Sequence, residues 1–127
     1  MSTSDVMKEG DRNDIDVRLM DYHRMEQDPV KVAPNAFKVL LENDRVRVLE
    51  IRLKPGRKLP MHTHPPYLVY ALTPHKVRVT FRGGNKKEVK IKAGEVLWSD
   101  GVSHAVENIG TTEAHVLNIE FKEQQKK

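Results

Sequence analysis

His62 and His64 stand two residues apart in Met61-His62-Thr63-His64. On an extended chain that spacing turns both imidazoles to one side, where they can reach a single ion. An isolated H-x-H pair is common, and this one gains meaning from its surroundings. Pro55-Gly56 makes a turn before it, Gly94 makes another, and Gly101-x-x-His104-x-x-x-Asn108 brings back a third histidine on a separate strand. The chain has no cysteine, which excludes disulfides, iron–sulfur clusters and thiol nucleophiles. Any metal must then be held by nitrogen or oxygen, and imidazole suits Fe, Ni, Cu and Zn alike. Three neutral imidazoles leave a divalent ion its full charge and open positions, so a small anionic bidentate molecule fits such a centre. The competing reading is a metal-free pocket in which the three histidines are hydrogen-bonded lining.

Other residues stand near this trio in the sequence. Tyr67 follows two prolines and is a candidate catalytic donor beside the metal, or else it caps a strand. Trp98 follows Val96 by two and is expected to pack inside. His115 shares the parity of the apolar residues of the last strand, yet a histidine at the start of a terminal strand reads better as satisfied rim than as ligand. His75, in Thr73-Pro74-His75-Lys76, and His23 are expected to be exposed. Glu107 is out of phase with His104 and should face away from the metal, leaving Asn108 inward.

These side chains need strands to carry them. From Phe37 onward the chain consists of short β-rich runs punctuated by Gly, Pro and Asn, the pattern of an all-β sandwich or barrel. Val77, Val79 and Phe81 alternate with Arg78, Thr80 and Arg82, Gly83-Gly84-Asn85 gives a tight turn, and Val89 and Ile91 continue the alternation. That is a hairpin. In Arg45-Val46-Arg47-Val48 the apolar residues fall on even positions, whereas in Leu49-Glu50-Ile51-Arg52-Leu53 they fall on odd ones. A β-bulge near Val48 would keep both halves facing inward. The last strand puts Leu117, Ile119 and Phe121 on its apolar face and Val116, Asn118 and Glu120 on the other.

The expected division is an N-terminal arm over residues 1–33, a β-domain over 34–122 and a disordered tail over 123–127. In the arm, Asp28-Pro29 and Ala33-Pro34 are expected to break any helix. The net charge of +4 is uneven: residues 1–30 carry eight acids against four bases, and the remainder eighteen bases against ten acids. The bases are spread over alternate strand positions with few aromatics between them, a solvated face rather than a nucleic-acid surface. No stretch approaches the ~20 apolar residues of a membrane span, and the first ten residues do not form a leader. The expectation is a cytoplasmic protein with a small-molecule partner, neither nucleic acid nor membrane.

Gly56, five residues, then His62-Thr63-His64 resembles the first motif of the cupin family. Gly94-Glu95 followed by Gly101-x-x-His104-x-x-x-Asn108 resembles the second, with Asp100 near the family's usual Pro and one residue fewer between the glycines. The resemblance covers about residues 37–122 and implies a jelly-roll β-barrel, with His62, His64 and His104 as metal ligands inside it. It also implies a homodimer. Where the family places a Glu after the second histidine, this chain reads Pro65-Pro66-Tyr67-Leu68-Val69. By ligand count it is similar to three-histidine cupins, among them thiol and β-diketone dioxygenases. The expected functions are a metal-dependent dioxygenase or a related enzyme, an isomerase or lyase among them, acting on a small anionic diketone, thiol or keto or hydroxy acid, or a non-catalytic sensor or storage module. A third is a partner-binding role in which the acidic arm docks on a basic body.

Overall fold

The computed structural model describes residues 27–122. His23, most of the arm and the tail over 123–127 lie outside them. Nine strands form two antiparallel sheets that face one another. They are β1 (Phe37–Glu42), β2 (Val46–Leu53), β3 (Lys58–His64), β4 (Tyr67–Ala71), β5 (His75–Phe81), β6 (Lys86–Ile91), β7 (Val96–Ser99), β8 (Val102–Asn108) and β9 (Ala114–Phe121). The first sheet has the order β1-β2-β9-β4-β7 and the second β3-β8-β5-β6. Apart from the β1–β2 and β5–β6 pairs, which share a sheet, sequence neighbours alternate between sheets, as the expected jelly-roll barrel requires.

The β5–β6 hairpin forms as the alternation predicts, with Val77 opposite Val89 and His75 opposite Ile91. Gly83 and Gly84 take φ of +99° and +101°, a region that L side chains avoid, so the turn depends on glycine at both positions. Two apolar clusters make up the core. One is built on Val69, Val77, Val79 and Ile91, the other on Phe37, Leu49, Ile51 and Leu53, and Val106 and Val116 pack against both.

Several expectations of facing are corrected. β2 shows no slip near Val48: its register with β9 runs unbroken from Val46↔Phe121 to Leu53↔Ala114. Its inward residues are Arg47, Leu49, Ile51 and Leu53, so the inward set begins with a charge. The irregularities fall in β1 between Val39 and Leu41, and in β3 between Leu59 and His62. The second contains Pro60, which has no N–H to give to a ladder. In β9 the inward face is Ala114, Val116, Asn118 and Glu120, the reverse of the apolar parity. His115 therefore lies half-buried on the outside, its Nε2 2.7 Å from Glu50 Oε2. Trp98 is also on the outside, donating from Nε1 to Asp100 Oδ1 at 2.7 Å, while Leu97 takes the inward position.

Asp28-Pro29 does not break a helix but starts one turn of it, α1 (Pro29–Val32), with Pro at the first position, where its missing N–H costs nothing. The turn packs against β3 and β1. Just before it, Gln27 O accepts the Thr63 N–H at 2.8 Å, satisfying part of the β3 edge that β8 leaves open. Among the described residues, no helix is long and apolar enough to cross a membrane.

Candidate metal centre

β3 delivers His62 and His64 to the barrel interior, and β8 delivers His104 directly opposite His62. The turn before β8 passes through Gly101 at φ +119°, which explains a glycine at that position. All three histidines are almost fully buried. Their ring centroids lie 4.8 Å (His62–His64), 4.8 Å (His62–His104) and 5.5 Å (His64–His104) apart, each pair edge to face. One nitrogen from each can be chosen so that all lie within 4.8 Å of one another. Tetrahedral ligation with bonds of about 2.1 Å needs nitrogens about 3.4 Å apart, so the rings would close in to hold an ion.

The protonation states suit a metal. Burial lowers the pKa of His62 to about 4, with the Pro60 carbonyl and the Asp28 charge acting the other way. Burial first, and then the charges of the other histidines and Arg47, puts His64 well below its ordinary value. Burial and His62 do the same to His104. Three imidazoles that are neutral at pH 7 are ligands rather than cations. His62 Nδ1 lies 2.7 Å from Pro60 O, and His64 Nδ1 2.5 Å from Glu120 Oε2, so in each ring the other nitrogen is left to bind. His104 Nδ1 is buried with no hydrogen-bond partner among the described residues, which a bound cation in this cluster would explain. The residues present therefore fit a divalent ion.

A row of inward side chains crosses the first sheet at this level. Arg47 pairs in register with Glu120, Glu120 with Tyr67, and Tyr67 with Ser99, and all four are buried. Tyr67 stacks on His64 with centroids 4.3 Å apart and planes 21° from parallel. Arg47 Nε donates to Glu120 Oε1 at 3.1 Å, and its Nη2 lies 3.0 Å from the same oxygen. Burial pushes the Glu120 carboxyl well above the ordinary carboxylate range. Its neighbours argue the opposite way: a guanidinium faces Oε1 and an imidazole nitrogen faces Oε2. We assign a carboxylate and a neutral His64 protonated on Nδ1, since the guanidinium can only donate and that tautomer gives Oε2 a donor as well.

Above this level the cavity is apolar, about 90 Å³ in volume, and walled by residues such as Ile51, Leu53, Val77 and Val116. Among the described residues, no Lys or Arg lines it. Besides the three histidines, its polar groups are the Tyr67 phenol, Asn118, whose buried Oδ1 has no partner among the described residues, and His75. His75 was expected to be exposed; instead it is buried at the start of β5, its Nδ1 2.9 Å from Thr73 O. Glu107 faces outward as its phase predicts, 3.3 Å from Arg78. Asn108 is buried and donates to Leu53 O and Thr112 O, so it fixes a turn and does not join the histidines. Sequence reasoning missed Arg47, Glu120, Asn118 and His75. The signal for the first two was an Arg and a Glu on facing strands at positions that parity had assigned to solvent.

No protein-family model matches the chain, and no match is found among curated proteins. Solved structures do match. A cupin domain from Bordetella pertussis is 30% identical over 68% of this chain and 91% of that one, with a TM-score of 0.62. This chain belongs to the cupin family. An RmlC-like cupin with a double-stranded β-helix fold from Methanocaldococcus jannaschii, 15% identical over 68% and 79% of the two chains, shares the fold at a TM-score of 0.57. A predicted oxalate decarboxylase from Thermotoga maritima is 29% identical over 67% and 78%, with a TM-score of 0.50.

Proposed function

We propose that this cupin binds one divalent ion through His62, His64 and His104 and uses it as a dioxygenase acting on a small molecule that has an anionic chelating head and an apolar body. The observation that carries the reading is three buried neutral imidazoles opening onto an apolar cavity. When bound, the ion supplies Lewis acidity toward the chelating oxygens and, where redox-active, one-electron chemistry. The chain's own residues supply the rest. The apolar wall excludes water and strengthens electrostatic interactions at the centre, Tyr67 fixes the plane of the His64 ring, and Asn118 offers one amide to a polar group on the ligand.

Cavity polarity discriminates among substrates. A small diacid such as oxalate would bring a second negative charge into a space that no Lys or Arg of the described residues lines, and an uncompensated buried charge is costly. The enolate of a linear 1,3-diketone carries one delocalised charge on two oxygens between alkyl arms, which suits the cavity better. Its cleavage by one dioxygen into a carboxylic acid and a 2-oxo aldehyde leaves both oxygen atoms in the products and calls for no external reductant.

The test is elemental analysis of the untagged protein, followed by oxygen uptake with a linear 1,3-diketone, a thiol, a keto acid and oxalate. Near one equivalent of metal, lost in His104→Ala, with uptake on the diketone supports the reading. Full metal occupancy without consumption of any of the four supports a sensor or storage module instead.

A further inference from the structure

Asp28 occupies the N-cap position of α1, yet its side chain caps nothing. A carboxylate there would ordinarily accept a backbone N–H of the first turn and stabilise the helix. Instead it turns into the barrel and grips Arg47 with both oxygens, Nη2 to Oδ1 at 2.5 Å and Nη1 to Oδ2 at 3.4 Å. Asp28 is itself buried. Arg47 passes the contact to Glu120 Oε1, and Glu120 Oε2 meets His64 Nδ1. An unbroken buried chain of charge-assisted contacts thus runs from the segment before β1 to an imidazole of the metal centre.

We propose that Asp28, Arg47 and Glu120 form a positioning relay through which the docked segment of residues 27–32 sets the metal affinity of His64. The proposal rests on the metal-binding reading above. Glu120 selects the His64 tautomer whose Nε2 is free for the ion, and it raises the basicity of that nitrogen. Arg47 holds Glu120 in place, and Asp28 holds Arg47. Gln27 anchors the same segment from the other side: its Oε1 accepts from Arg82 at 2.9 Å and its backbone O from Thr63 N, between the two ligands of β3. Seating the segment and binding the ion are therefore linked, and linkage is reciprocal.

The experiment titrates the full chain, stripped of metal, with Co²⁺, whose visible spectrum reports ligation. Glu120→Gln is expected to weaken binding about 10–100-fold. Asp28→Asn is expected to weaken it several-fold with an unchanged circular dichroism spectrum. In the wild type, Co²⁺ should also slow amide exchange of Lys31 and Val32, whose N–H groups close the turn on Asp28 O. In Asp28→Asn it should not. Nitrogen shifts of the His64 ring should move away from the Nδ1–H tautomer in Glu120→Gln, a change that a merely structural ion pair would not produce. Asp28→Asn keeps the test decisive if Glu120→Gln does not fold. Wild-type Co²⁺ affinity in Asp28→Asn overturns the relay alone, whereas a wild type that takes up no Co²⁺ overturns both the relay and the metal-binding reading.

Discussion

Arg47 and Glu120 face each other across β2 and β9 in register, both buried, with the guanidinium Nε 3.1 Å from Oε1. An ion pair in this position costs several kcal/mol of desolvation per ion, and its geometry has to return that cost. Here it does so by sharing: the guanidinium serves Glu120 and Asp28 together, and Glu120 also takes His64.

Removing the shared cation should therefore be severe. Arg47→Met leaves two buried carboxylates facing each other without compensation, and stability is expected to fall by about 3–5 kcal/mol. Urea unfolding of the metal-free protein measures this. A loss under 1 kcal/mol would show that the pair is already hydrated and contributes little to the barrel.

Metal-free stability should also depend on pH in a defined direction. Burial depresses the pKa of folded His62 from 6.5 to about 4, so between those values the unfolded chain binds the extra proton and stability rises with pH. The contribution is fully present above pH 6.5 and is lost as pH falls toward 4. For His62 alone the span corresponds to roughly 3 kcal/mol. Burial lowers His64 and His104 in the same sense and steepens the slope. Urea midpoints at pH 7, 6, 5 and 4.5 should decrease in that order; a flat series would mean that the trio is hydrated.

The jelly roll and the histidine trio were legible in the sequence because each rests on a local rule. The β5–β6 hairpin follows from alternation and two glycines, and His62 and His64 share a side because they are two apart. Arg47, Glu120 and Asn118 were not legible, because the alternation rule sends polar side chains to solvent. β2 and β9 carry their charges inward at positions that only the partner strand explains. The error propagated: outward Val46 and Val48 on either side of an inward Arg47 made the alternation look slipped at Val48, and the outward parity of Leu117, Ile119 and Phe121 was taken for the inward one, although His115 is the satisfied rim residue expected of it. Trp98 and His75 were misplaced for a related reason, since a large ring and a histidine after proline have no fixed facing until the neighbouring strands are known. The carboxylate sought just after His64 also illustrates the limit. The one that contacts that ring lies fifty-six residues later in the chain.

Asn118 supplies the last prediction. It stands between Leu49 and Val69 in an otherwise apolar row, and its buried Oδ1 has no partner. A buried acceptor left unsatisfied costs about 1–3 kcal/mol, so a residue of similar volume without polar atoms should improve the fold. Asn118→Leu is expected to raise the urea stability of the metal-free protein by about 1 kcal/mol. If the amide is there to meet a ligand, the same substitution should weaken diketone binding to the metal-loaded protein about tenfold while leaving Co²⁺ affinity intact, a trade of function against stability. Calorimetric titration of both proteins separates the two effects. A variant that is less stable than the wild type would show that Asn118 fixes the β2–β9–β4 row, and the amide would then have no claim as a ligand contact.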